Sequence, residues 1–143
     1  MSGFIAIDPG ETIGYCRFFE DGAIDLEYYD QCRFMDLEQI LLLSLPLQRI
    51  IYEDYIIRRD HQGSRAETIQ CIGLIRAFAQ RNNIETSRQP SSILNIATKW
   101  TGVKIPSNHA ESHKISAFLH GAYYLINQDL MKTKLQIEQE LVK

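Results

Sequence analysis

The chain has 143 residues, 45% apolar and 23% charged, with a net charge of −3, the size and balance of one soluble domain that buries a core without staples. Three widely spaced cysteines, Cys16, Cys32 and Cys71, lack C-x-x-C spacing, which excludes a disulfide framework and a zinc ribbon. No signal peptide, transmembrane run or low-complexity tract is visible, so a soluble, cytoplasmic protein away from membranes is expected.

The first half reads as strands. Phe4, Ile5, Ala6 and Ile7 form the buried part of a strand over 3–8 that ends on Asp8, with Pro9 and Gly10 turning the chain behind it. A carboxylate there either hydrogen-bonds amides of its own turn, with Thr12 assisting, or serves a partner. Strands over 13–19 and 23–29 follow, joined by the turn "EDG". "FMDLEQILLLSLPLQ" is a short apolar helix ending near Pro46, and "RIIYEDYII" is a fourth strand with two carboxylates in its middle. The pleat sends Glu53 and Asp54 to opposite faces, so only one of them can share a site with Asp8.

After a polar loop, "RRDHQGS", the spacing of Ile69, Ile72, Ile75 and Ala79 predicts a helix over 65–83. "IETSRQ" is a short strand, a helix covers about 91–100, and a long helix runs from 109 to 126. Its wheel separates Ile115, Phe118, Leu119, Ala122, Leu125 and Ile126 from an opposite side with His113, Ser116, Ala117, His120 and Tyr124. Glu111, three residues after Asn108, suits a capping box at the helix start. The pattern predicts an α/β fold, a mixed sheet flanked by helices, over residues 1–126. Residues 127–143 form a weakly amphipathic helical tail that docks on the body, docks on a second copy or frays.

Charge is uneven along this frame. Residues 1–57 carry −8; residues 58–114, with nine basic side chains against four acidic ones, carry +5. An acidic third beside a basic middle suits a cation site within reach of a phosphate backbone, and solvated helix faces produce the same count.

Three segments together resemble a family. "AIDPGETIGY" resembles the D-P-G-x-T-G-[WY] opening strand of RuvC-like Holliday junction resolvases, particularly the compact bacteriophage type. "IIYEDY" resembles their fourth-strand V-V-E-D-F, and "SHKISAFLHGAYYL" resembles their last helix, D-H-x-x-D-A-L-x-H-A-L-x-Y-L. The matches stand in order between residue 3 and about residue 126. The resemblance implies an RNase H-like fold whose first three strands are antiparallel, a metal-dependent nuclease acting on branched DNA, and a homodimer, for which the helix at 65–83 is the candidate for part of the interface. It assigns Asp8 and Glu53 as carboxylate ligands and His113 as the first ligand of the last helix. Ser116 falls where the family has its final aspartate, so this catalytic and metal site is one charge short. Mg²⁺ is the implied ion, with Mn²⁺ substituting and favoured by the weakened site. Arg58, Arg59, Arg65, Lys99, Lys104 and Lys114 would hold phosphates; His61 either approaches the junction or is a solvated loop residue. Two alternatives stand beside the endonuclease. One is a junction-binding protein with weak or no catalysis. The other is an ATPase domain of the sugar-kinase and actin type, whose phosphate loop "DPGETIG" also resembles.

Overall fold

The computed structural model describes residues 2–54, 65–107 and 110–142; side chains are described up to residue 129, except that of Arg65. Strands β1 (Gly3–Asp8), β2 (Ile13–Phe19) and β3 (Ile24–Cys32) form an antiparallel meander. Helix α1 (Phe34–Ser44) then carries the chain back so that β4 (Leu47–Glu53) lies parallel to β1 on its other edge. Helix α2 (Arg65–Arg81) returns it again to β5 (Glu85–Gln89), parallel to β4. Helices α3 (Ile93–Thr101) and α4 (Ser112–Val142) complete the chain. The sheet order is β3-β2-β1-β4-β5, the mixed sheet with three antiparallel strands that the sequence predicts. α4 runs through residue 126 without a break. Among the described residues no helix is long and apolar enough to cross a membrane.

The pleat divides the core in two. Ile5, Ile7, Ile50 and Tyr52 face α1 and α2, where Leu37, Leu41, Cys71, Ile75 and Phe78 meet them. Phe4, Ala6, Cys16, Phe18 and Ile51 face the other way and meet Ala117 of α4. With a side-chain period of two, Asp8 follows Phe4 and Ala6, and Glu53 follows Ile51, onto the α4 side.

One buried charge fixes the crossover that makes β4 the neighbour of β1. Arg17 is 3% exposed, and a guanidinium there is tolerable only when its N–H groups are satisfied. Its Nε donates to the Ser44 carbonyl at 2.8 Å, Nη2 to the Pro46 carbonyl at 2.9 Å, and Nη1 pairs with Asp25 at 3.2 Å. The last residue of α1 and the approach to β4 are thereby tied to β2.

Two expectations need correction. β4 begins earlier than predicted and ends at Glu53, opposite Gln89 at the end of β5, so Glu53 stands at the mouth of the sheet rather than mid-strand; residues 55–57 lie outside the described residues. The wheel of α4 holds only in part: its polar side is pressed on the sheet, and Phe118 and Leu125, placed opposite, pack on the sheet as well. Ser116, Ala117 and His120 are buried, while Leu125 and Ile126 are only half-buried. The small residues Ala6, Gly14 and Cys16 on this part of the sheet leave room for a close helix, and α3 packs on α4.

Candidate active site

Asp8 and Glu53 end adjacent parallel strands, and the register that pairs Ile7 with Tyr52 sets them side by side under the first turns of α4. His113 Nδ1 lies 3.2 Å from Asp8 Oδ2. Asp8 is 8% exposed. Burial pushes its carboxyl above the usual aspartate range; the hydrogen bond with His113 opposes that push and the charge of Glu53 adds to it. For Glu53 burial also works upward, but neighbouring His120, the hydrogen bond with Asp8 and the charge of His113 outweigh it, leaving the carboxyl below its ordinary range. His113 is raised, first by its hydrogen bond to Asp8, against a smaller effect of burial. The two carboxyls are thus pushed in opposite directions, Asp8 upward and Glu53 downward.

A second histidine lies deeper. His120 is fully buried, with Nδ1 2.7 Å from Gln89 Oε1. With the amide oxygen facing the ring, Nδ1 carries the hydrogen. Nε2 is 3.4 Å from Glu53 Oε1 and has no hydrogen-bond partner. The two carboxylates thus each face an imidazole, Asp8 facing His113 and Glu53 facing His120. Asp54 is turned away and pairs with Arg88 at 3.9 Å.

Two residues hold the helix start over this pair. Gln31 of β3 accepts from the backbone N–H groups of His113 and Lys114 at 3.0 and 3.1 Å, and its amide donates to the Ala110 carbonyl at 3.1 Å. It caps α4 from another element, satisfying donors that a helix start leaves orphaned. Gly14, paired with Asp8 across β1 and β2, lets the backbone of His113 approach so closely that a Cβ at 14 would collide with the His113 carbonyl. Gln31 is far from His113 in sequence and Gln89 ends a short strand, so neither carries a local signal of this role. His120 is visible on the helix wheel, but not its contact with Glu53.

Ser116 is buried, 5% exposed, on the same side of α4 between the histidines, and no hydrogen bond links it to either carboxylate. Among the described residues no three His, Cys, Asp or Glu side chains are arranged to hold a metal ion as they stand. The donor chemistry nonetheless fits a cation: two adjacent carboxylates, one disfavouring the ionised form of the other, and a buried imidazole nitrogen without a partner. A cation would have to take the place of the His113–Asp8 hydrogen bond.

Of the basic residues, Lys99 and Lys104 are exposed and form no ion pair with a described residue. Lys114 is engaged, 3.3 Å from Glu111 and over the Tyr29 ring. That pairing, rather than a capping box, is what Glu111 makes here; Asn108 lies outside the described residues. So do Arg58, Arg59 and His61, and Arg65 is described only as the first residue of α2. A cavity of about 700 Å³ lined by Gly3, Arg49, Glu85, Tyr124 and Asp129 opens at the other end of β1 and contains none of these groups.

No family model matches the sequence, and no curated protein is similar to it. Solved structures are similar in fold. A structure described as T. thermophilus RuvC in complex with Holliday junction substrate superposes with a TM-score of 0.60 over 87% of this chain and 95% of that one, at 10% identity. A second Thermus thermophilus RuvC structure covers 87% of this chain and 96% of its own at 11% identity, with a TM-score of 0.47 that is too low to add weight. At such identity the likeness is one of architecture: the chain has a RuvC-like RNase H fold.

Proposed function

We propose that this chain is a metal-dependent, structure-selective endonuclease that hydrolyses phosphodiester bonds in Holliday junctions or other branched DNA. The observation that carries the reading is the Asp8–Glu53 pair on neighbouring parallel strands, facing His113 and His120, in a RuvC-like fold. The similar structure is that of a RuvC with a Holliday junction substrate, which supports branched DNA as the partner.

Asp8 and Glu53 would hold Mg²⁺, or Mn²⁺ in its place, with His113 as a nitrogen donor. When bound, such an ion activates water for in-line attack and offsets charge on the scissile phosphate. The chain's own residues set the stage. Gln31 and Gly14 fix where His113 stands, and Gln89 fixes the His120 ring against Glu53. Lys99 and Lys104, with Arg58, Arg59 and Arg65, would hold flanking phosphates without reading bases. Lys114 would reach a phosphate only by leaving Glu111.

Incubation of a four-way junction with the protein in Mg²⁺, in Mn²⁺ and in chelator tests the reading. Cation-dependent paired incisions are expected; tight junction binding without incision in either metal would leave a binding protein. Ser116 favours that second reading, because a neutral hydroxyl stands where the resemblance places an aspartate. Ser116→Asp is accordingly expected to raise Mg²⁺-dependent cleavage, while Ser116→Ala changes it little. The added buried carboxylate should lower the Tm without metal and make it more sensitive to Mg²⁺. Loss of cleavage in Ser116→Ala would instead make the serine a working ligand.

The active unit is a homodimer, since a four-way junction offers two symmetry-related strands to cut. Exposed Ile69 on α2, with exposed Met35, Leu42 and Leu43 on α1, supports this side of the molecule as the contact. Sedimentation equilibrium at micromolar concentration should give the dimer mass; a monomer that still makes paired incisions would refute it.

A further inference from the structure

Trp100, the one tryptophan of the chain, is 41% exposed on α3. One face of its indole lies on the ring of Tyr123, with centroids 5.4 Å apart and planes within 5° of parallel. Tyr123 belongs to α4 and comes three residues after His120, so the helix that supplies His113 to the site also supports this ring pair. The ten residue steps from His113 to Tyr123 span about 15 Å of helix, the reach of roughly four nucleotides of a stacked strand.

The segment around Trp100 is mixed, with exposed Ile96 and Ile105 beside a local excess of basic residues. Residues 86–110 contain no aspartate or glutamate, but contain Arg88, Lys99 and Lys104. Lys99 adjoins Trp100, Lys104 follows the end of α3, and both are exposed without an ion pair to a described residue. An open aromatic face, held in plane by a second ring and flanked by unpaired lysines, complements a polyanion that carries flat bases.

We propose that the outer face of α3 is a stacking platform for an unpaired base of single-stranded or branch-point DNA, with Trp100 as the plane and Lys99 and Lys104 on the adjoining phosphates. Tyr123 prepays the ordering of the indole, so stacking costs little side-chain entropy. This rests on the branched-DNA reading for its ligand, and extends the interface away from the cutting site.

The intrinsic emission of Trp100 is the probe, read on the full chain in chelator, with binding followed in parallel by the anisotropy of labelled DNA. A four-way junction and a single strand are expected to quench Trp100, and a blunt duplex of equal length to quench it far less. Trp100→Ala should weaken junction binding about tenfold, equivalent to ~1.4 kcal/mol, and Trp100→Phe should recover most of it. Lys99→Gln and Lys104→Gln should each lower the slope of log affinity against log salt by about one. Junction binding with unmoved emission and unchanged Trp100→Ala affinity would overturn the platform and leave the nuclease reading standing. Quenching by single strands without any junction preference would support the platform and overturn the junction reading; no binding of any DNA would overturn both. Emission that shifts with protein concentration alone would mean that a second copy covers the face, and would also overturn it.

Discussion

Asp8→Asn is expected to leave a protein that binds a four-way junction and does not cut it. The substitution keeps shape and removes a charge at the centre of the carboxylate pair, where cation-assisted catalysis is worth several kcal/mol; a loss of at least about a thousandfold in rate follows. Glu53→Gln should behave alike, whereas Asp54→Asn, whose carboxylate points to Arg88, should stay near the parent rate. The same variant makes a second, independent forecast about stability. The folded protein holds the Asp8 proton more tightly than the unfolded chain, because burial and Glu53 outweigh His113. Ionisation of Asp8 therefore weakens the fold, and the penalty grows as pH rises from the ordinary aspartate range through the raised value. Without metal at neutral pH, Asp8→Asn should melt at a higher temperature than the parent, and the gap should close as pH falls below both values. Substantial cleavage by Asp8→Asn would sink the site; an unchanged or lower Tm at neutral pH would sink the electrostatic account of it.

Gly14→Ala is the second large effect. The methyl group would meet backbone, the carbonyl of His113, and not the movable end of a side chain. Either β2 bends at its pairing with Asp8 or the first turn of α4 lifts from the sheet, and overpacking of this kind costs about 1–3 kcal/mol. Lifting α4 also draws His113 away from Asp8 and strains the Gln31 cap. Denaturant unfolding should show the loss of stability, and cleavage should fall by more than the fraction unfolded explains. A Gly14→Ala protein as stable and active as the parent would show that α4 is not seated where this structure puts it.

Much of the architecture was legible because it depends on period. The pleat in "RIIYED" set Glu53 and Asp54 on opposite faces so that only one could join Asp8, the resemblance singled out Glu53, and the sheet puts Ile51 on the side of Ala6. The wheel of α4 grouped His113, Ser116 and His120 on one side, yet a wheel does not say which side meets the sheet, and Phe118 and Leu125 from the other side pack there too. A side with His113, Ser116 and His120 looks solvated until Gln89 and Glu53 are known to lie beneath it. Gln31 and Gly14 were out of reach for the same reason. Their roles arise from the backbone of a helix that follows a long way down the chain, and nothing near them in sequence marks that approach.

The cap supplied by Gln31 has a consequence for motion. β3 is an edge strand, hydrogen-bonded to the sheet along one side, and local opening draws on segments with exposed backbone. A helix that capped itself would ignore such excursions. Here the amides of His113 and Lys114 are protected by a side chain on that edge, so each transient detachment of β3 frees the first turn of α4 as well. The geometry around Asp8 is thereby tied to how often an edge strand opens, so the periphery of the fold shares in how long the site stays assembled.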